Sequence, residues 1–340
     1  MRRLRVLVLM HEDFVPPLDE VPGDSAPHWK TEFDVMAGLG ALGHDVRALG
    51  VHSDLSVIRE ALDDFNPHIT FNLLEEFHGV ALYDQHVISY LELLQRPYTG
   101  CNPRGLMLSH DKALSKKLLT YHRVPVPKFA VFPQGRRVHR PKSLEFPLIV
   151  KSLIEHASMG ISQASVVHND AKLRERVEFI HTSIGTDAIV EQYLEGRELT
   201  VCVIGNQRLQ LLPILELEFN ALPEGAPRIQ TERIKRDMAY QKRVGVALAA
   251  PTDLGEEVER RLLALAKRSY KTLGMSGYGR MDFRLTDDGR LYVLEANANA
   301  DISVGEELAD SAELAGIGYE ELLQKVINLG LSFRPLWKQE

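Results

Sequence analysis

The most constraining stretch of the chain is GYGRMDFRLTDDGRLYVLEANANADIS, Gly277 to Ser303. Two alternating segments, Arg280 to Leu285 and Leu291 to Asn297, flank Asp287-Asp288-Gly289-Arg290, and Asp-Gly in that setting is the strongest short hairpin signal. With Asp288-Gly289 as a two-residue loop, Asp282 faces Glu295 and Arg280 faces Asn297. Strand side chains alternate, so these four share one face. Directly opposed residues lie about 4.5–5.5 Å apart at Cβ, where like charges destabilise a sheet. A cation resolves the conflict: two carboxylates and an amide oxygen are hard ligands of the kind Mg²⁺ takes, along with waters and substrate phosphates. Arg280 adds a fixed positive charge suited to a phosphoryl group. The competing reading is an exposed ribbon whose acids are merely solvated. Met281, Phe283, Tyr292 and Leu294 speak against it, because they make the opposite face apolar and give the hairpin a core to pack on.

A length of 340 residues leaves room for about two or three domains. A net charge of −7 and the lack of a basic run with interleaved aromatics give no nucleic-acid footprint. Cys101 and Cys202 make neither a disulfide scaffold nor a zinc site, and read as inert thiols in a reducing compartment. Leu4 to Met10 is broken by Arg5 and meets His11-Glu12-Asp13 without a small-residue cleavage site, so it reads as a first strand rather than a signal peptide. No apolar segment approaches the roughly 20 residues that span a bilayer. The expectation is a soluble cytoplasmic protein with no membrane or nucleic-acid partner.

Along the chain, Arg5 to Met10 reads as a buried strand, followed by a long loop through Pro16, Pro17, Pro22 and Gly23 of the kind that forms lids or binding segments. Ser25 is a helix N-cap with Pro27 just inside, and the helix stops at Gly43. Asp45 to Val51 is a strand, Leu55 to Phe65 a helix and His68 to Leu73 a strand; this alternation predicts a parallel sheet with helices on both faces. No G-x-G-x-x-G follows the first strand, which disfavours a dinucleotide site. Glu75, Glu76 and His78 follow the third strand, at the carboxyl end where open α/β sheets bind ligands. Acids at a helix N-terminus would explain the two glutamates equally well. Tyr83 to Leu94 and a segment opening at Asp111-Lys112 are helical, with Lys116 and Lys117 read as solvated. Phe146 to Lys151 is an apolar strand ending in a cation with no local acidic partner. Lys151 either snorkels to solvent or directs an ammonium at phosphates. Leu209 to Phe219 is a second long alternating strand, Leu254 to Leu273 a strong helix, Glu306 to Leu314 and Tyr319 to Leu329 amphipathic helices, and Phe333 to Glu340 a loose tail.

The hairpin's R-x-D-F, short turn and L-Y-V-L-E-x-N resemble the magnesium-binding end of ATP-grasp ligases, above all the D-alanine–D-alanine ligase branch. Asp111-Lys112 before Val124-Pro125-Val126-Pro127, and the turn Glu155 to Ile161, are similar to the same family in the same order, so the resemblance covers nearly the whole chain. It implies an α/β ATP-grasp fold in three parts: an N-terminal parallel-sheet domain (1–109), a small central domain (110–190) and a C-terminal antiparallel-sheet domain (191–340). It implies ATP and Mg²⁺ (or Mn²⁺), with Asp282, Glu295 and Asn297 as metal ligands and Arg280 and Lys151 as catalytic groups. Lys112, Lys151 and Lys235 would contact phosphate, and Ser158, Met159 and Gly160 would belong to a loop whose N–H groups cradle phosphate oxygens. The backbone of Gln192, Tyr193 and Leu194 would read the adenine edge, Glu191 its amino group and Glu198 the ribose. Arg233, Arg236 and Asp237 crowd Lys235 and leave that assignment ambiguous.

The activity so implied is amide or peptide bond formation between a carboxylate and an amine, through an acyl phosphate that must be kept from water. The substrates would be small molecules, amino acids or small peptides, and members of the family commonly dimerise through the N-terminal domain. D-Alanine–D-alanine ligation itself is the alternative, and a nucleotide-binding regulatory protein without turnover is the alternative of another class. Three departures from the D-alanine branch concern the substrate. His11-Glu12-Asp13 stands where that branch has a Gly-rich segment bearing serine and glutamate. Ala157 replaces a serine beside Ser158. Ala298 to Ser303 replaces the usual Pro-Gly-containing run. Glu76, His78 and Asp301 are the substrate candidates, with a cap or surface role as the competing account of the acids.

Overall fold

The computed structural model describes residues 2–17, 27–155 and 158–338. Ser25, Pro22, Gly23, His156 and Ala157 fall outside the described residues.

The strand–helix alternation of the first hundred residues builds a parallel sheet. Its strands are β1 (Arg5–His11), β2 (Asp45–Val51) and β3 (Ile69–Asn72), in the order β2-β1-β3. The helices are α1 (Lys30–Ala41), α2 (Ser56–Phe65), α3 (Asp84–Leu93), α4 (Pro103–His110) and α5 (Lys112–Tyr121). α1 begins at Lys30 with Trp29 as N-cap, and Gly43 follows at φ 80°, the left-handed conformation that ends a helix cheaply in glycine. α4 has no hydrophobic periodicity to announce it; Asn102 caps it by accepting from the Gly105 N–H, and Pro103 is pre-shaped for the first turn.

The middle of the chain forms an antiparallel sheet in the order β4-β7-β5-β6, from β4 (Phe129–Phe132), β5 (Leu148–Ser152), β6 (Val166–Val167) and β7 (Ala188–Gln192), backed by α6 (Asp170–Phe179). It has its own core of Leu148, Val150, Leu173, Val177, Ile180 and Val190. The third sheet is six-stranded. β8 (Arg197–Ile204), β9 (Gln210–Leu211), β10 (Leu215–Phe219), β11 (Val246–Ala249), β12 (Tyr278–Leu285) and β13 (Leu291–Ala298) run β11-β10-β8-β12-β13, with β9 beside β8. The long strand expected from Leu209 to Phe219 is instead two, β9 and β10. Pro213 lies between them and lacks the N–H a ladder needs. Helices α7 (Glu232–Arg236), α8 (Met238–Val244), α9 (Glu256–Thr272), α10 (Glu307–Leu314) and α11 (Tyr319–Ser332) complete the chain, and the tail carries one short turn at Leu336–Lys338.

The first and third sheets share their cores. Leu7, Leu9 and Ile58 pack with Met281, Phe283 and Val293, while Val6, Val8 and Val35 pack with Ile204, Leu308 and Leu323. Helices α10 and α11 thus return to the opposite side of the N-terminal sheet, and the central sheet stands apart over a cleft. We propose domain divisions at 109/110 and, because β7 runs to Gln192, just after the 190/191 position suggested by sequence.

Candidate active site

The hairpin β12–β13 sets the floor of the cleft. Arg280 pairs with Asn297 and Asp282 with Glu295, the register read from the sequence. Nearer the turn it slips by one, to Phe283–Val293 and Leu285–Leu291. The loop holds three residues rather than two, Asp287 to Gly289 between the paired Thr286 and Arg290, with Gly289 at φ 76°. A bulge that leaves Leu294 unopposed restores the register before Glu295. The expected apolar face is corrected accordingly. Met281 and Phe283 are buried as read, but Leu291 and Val293 accompany them, while Leu294 turns into the cleft.

Around that floor lies a cleft of about 910 Å³ including its open mouth. Lys112, Lys151, Ser158, Met159, Glu191, Gln192, Tyr193, Leu194, Glu198, Lys235, Arg280, Asp282, Glu295 and Asn297 all line it. Gly160 does not: its N–H donates to Glu232 Oε2 at 2.9 Å and its carbonyl accepts from Arg176, so it braces the loop from behind. Glu76 and Asp301 line a separate cavity, and His78, at φ 57°, stacks on His52 outside both. The stretch after β3 is a loop, not a helix N-terminus, so the dipole account of Glu75 and Glu76 fails.

The charges are closely paired. Lys151 reaches Glu191 Oε2 at 3.3 Å across the β5–β7 ladder, the acidic partner that no local sequence could show. Lys116, read as solvated, is instead 2 % exposed: it lies 3.4 Å from Glu191 Oε1 and donates to the Leu294 carbonyl at 2.6 Å. Its position one helical turn after Lys112 was the available signal, since i and i+4 share a face. Burial pushes the Glu191 carboxyl up, but Lys116 and Lys151 outweigh it and hold it below the usual carboxylate range. Lys112 meets Glu295 Oε1 at 3.1 Å and donates to the Glu155 carbonyl at 2.5 Å. Arg280 bridges Asp282, at 3.0 Å, and Glu307, at 2.9 Å. Thr200 Oγ1 and Asn297 Nδ2 donate to Asp282 at 3.0 and 2.9 Å. Burial raises the Asp282 and Glu198 carboxyls despite Arg280 beside the one and Arg284, 2.9 Å away, beside the other. Thr200, Arg284 and Glu307 carried no sequence signal; cross-strand register and the return of α10 bring them in.

The donor set suits the groups implied. Asp282, Glu295 and Asn297 offer hard oxygen atoms on one hairpin face, and the cations Arg280 and Lys112 neutralise the two acids in the structure. Glu191 Oε1 has no closer donor among the described residues than the Lys116 ammonium at 3.4 Å, so its remaining lone pair suits a donor such as an exocyclic amino group. Ile149, Ile161 and Ile229 give the cleft the apolar wall that a flat base requires. Elsewhere, His11, His52 and Glu76 bring ligand-type atoms within 4.8 Å of one another. His11 Nδ1 accepts from the Asp13 N–H and lies 3.6 Å from Asp13 Oδ2, while its Nε2 faces His52 at 3.1 Å and Glu76 at 3.4 Å.

A small central sheet closing over an antiparallel sheet whose hairpin bears two acids and an asparagine defines an ATP-grasp fold. Residues 118–328 match the family model described as D-ala D-ala ligase C-terminus, and the chain belongs to that family. The D-alanine–D-alanine ligase of Bordetella petrii is 30% identical over 255 residues, 74% of this chain and 73% of that protein. The uncharacterized protein y4sG of Sinorhizobium fredii is 29% identical over 316 residues, 91% of this chain and 89% of its own. In fold, the chain is similar to the crystal structure of D-alanine–D-alanine ligase from Bacillus anthracis complexed with ATP. The TM-score is 0.73 at 23% identity, covering 96% of this chain and 97% of that one. The class is thereby an ATP-dependent ligase that joins a carboxylate to an amine, using ATP and a divalent metal on small-molecule substrates. Among the described residues no helix is long and apolar enough to cross a membrane.

Proposed function

We propose that the cleft binds ATP and Mg²⁺ and joins a small carboxylic acid to an amine through an acyl phosphate, releasing ADP and phosphate. The observation that carries this reading is the convergence of Lys112, Lys151, Lys235 and Arg280 with Asp282, Glu295 and Asn297 around one cleft. In this reading Asp282, Glu295 and Asn297 hold the metal, which supplies charge neutralisation at the transferred phosphate. Lys112, Lys151 and Lys235 offset the remaining phosphate charge, and the task of the protein is mainly positioning. Arg280, held between Asp282 and Glu307, would stabilise the oxyanion that forms when the amine attacks. Glu191, Gln192, Tyr193 and Leu194 take the base and Glu198 the ribose, with Ser158 and Met159 in the cover that excludes water. Two buried free thiols suit a reducing, cytoplasmic setting.

Asp282→Asn tests the assignment: ADP formation should fall by at least about 100-fold while a non-hydrolysable ATP analogue still binds. Unchanged turnover would remove Asp282 from the metal site. Substrates are found by ADP and phosphate release against single amino acids and pairs, with product mass equal to two components less water. The names borne by the relatives favour D-alanyl-D-alanine as the second reading, which dimer formation from D-alanine alone would establish.

A further inference from the structure

A second cavity adjoins the nucleotide cleft. Tyr278 and Asn299 line it, two residues along the hairpin from Arg280 and Asn297, a step of about 7 Å in extended chain. Its acids are Glu32, Glu75, Glu76 and Asp301, its only cationic candidates among the described residues are His11 and His28, and no lysine or arginine lines it. None of residues 18–26 is a lysine, arginine or histidine either.

Glu32 is the telling group. It sits in the first turn of α1, is 4 % exposed, and its Oε2 accepts no hydrogen bond from the described residues. The carboxyl is otherwise served by the backbone N–H of Glu32 itself, and a buried carboxylate oxygen left without a donor is costly and calls for a partner. Burial, then the charges of Glu75 and Asp301, push the Glu32 carboxyl up to about 8. Asp301 is fixed beside it: its Oδ1 accepts from Thr31 Oγ1 at 3.2 Å and from the Ser303 N–H and Oγ at 2.9 and 2.7 Å. Glu75 faces the same space from the loop after β3.

We propose that this cavity receives the cationic end of one ligation substrate, an ammonium or guanidinium group of a basic amino acid or a diamine, bound by Glu32, Glu75 and Asp301. An ammonium carries three donors and no acceptor, which matches a site in which acids outnumber every other charged group. A carboxylate entering the same cavity would meet four acids and, among the lining residues, no lysine or arginine to pair with. The inference rests on the ligase reading for which reaction the bound group serves, while the binding itself is measured without turnover.

The experiment is calorimetric titration of the full chain, loaded with Mg²⁺ and a non-hydrolysable ATP analogue, with lysine of each hand, cadaverine and norleucine of each hand. At least one of the cationic ligands should bind about tenfold or more tightly than norleucine, which keeps the α-amino and carboxyl groups but lacks the side-chain charge. Cadaverine alone in that role identifies a diamine, lysine alone a basic amino acid. Glu32→Gln and Asp301→Asn should each remove most of the preference and leave nucleotide affinity unchanged. Equal or tighter binding of norleucine, or no binding of any cationic ligand, overturns the proposal. Parallel ADP release separates the two readings. Turnover with neutral amino acids and no preference for cations would sink this inference and keep the ligase. A cation preference without ADP release from any substrate pair would keep the inference and sink the ligase.

Discussion

Lys116 holds the floor and the roof of the cleft to each other. It ties Glu191 of the central sheet to the bulged Leu294 carbonyl of the hairpin from a fully enclosed position. Removing one member of a buried ion pair leaves the other charge under-compensated, which costs about 3–5 kcal/mol. Lys116→Met should therefore lower unfolding free energy in urea by roughly that amount and weaken ATP-analogue binding, whereas Lys117→Met should do neither; equal effects would return Lys116 to the solvated class. Glu32 carries the opposite sign. Its folded-state pKa of about 8 lies above the ordinary 4.5, so the folded chain binds the extra proton between those values and stability falls as pH rises through the window. Glu32→Gln should leave the melting temperature nearly unchanged at pH 4.5 and raise it at pH 8.5. A melting profile parallel to that of the parent chain would show that the carboxyl is not held protonated. Neither behaviour is plain from sequence: Lys116 lies in a helix with three lysines within six positions, where the i+4 spacing from Lys112 is the one hint of a shared face, and Glu32 looks like an ordinary first-turn acid. Burial is a property of what packs on a residue, and both partners are distant in the chain.

At the scale of elements, local chemistry predicted more. β2 was read at its observed bounds, and the hairpin, α2, α3, α9, α10 and α11 were read to within a few residues, because each has a strong period and a clear turn or cap. The errors have local physical causes too. Asp-Gly serves two-residue and three-residue loops alike, so turn length could not be separated from strand register, and the bulge at Leu294 compensates the longer loop. The Glu195-Gly196 turn between β7 and β8 shows what such a connection demands. Gly196 has φ 138°, and a Cβ there would stand 2.1 Å from the Leu285 carbonyl oxygen. Gly196→Ala should destabilise the fold by more than about 1 kcal/mol in chemical denaturation and loosen nucleotide binding, because the turn carries Leu194 and Glu198. A stable variant with normal affinity would show that the turn can move away from the Leu285 carbonyl at no cost.

In the whole molecule, the central sheet has a core of its own while the first and third sheets share theirs, so a ligand in the cleft joins two separately packed bodies. Binding to the folded state alone stabilises by about 2.7 kcal/mol at a concentration 100 times the dissociation constant. An ATP analogue with Mg²⁺ should raise the melting temperature progressively with concentration and more than Mg²⁺ alone; a melting curve insensitive to the analogue would count against the cleft as its site. The sequence by itself determined the strand-helix order, the N-terminal parallel sheet, and the opposition of Arg280 with Asn297 and Asp282 with Glu295, because period, turn chemistry and pleat act over a few residues. Tertiary structure alone decided which lysine is buried, that Lys151 meets Glu191, that Gly160 stands behind the loop rather than in the cleft, and that Glu32 and Asp301 border one cavity. Those facts depend on contacts between segments tens to hundreds of residues apart, and no local preference encodes them.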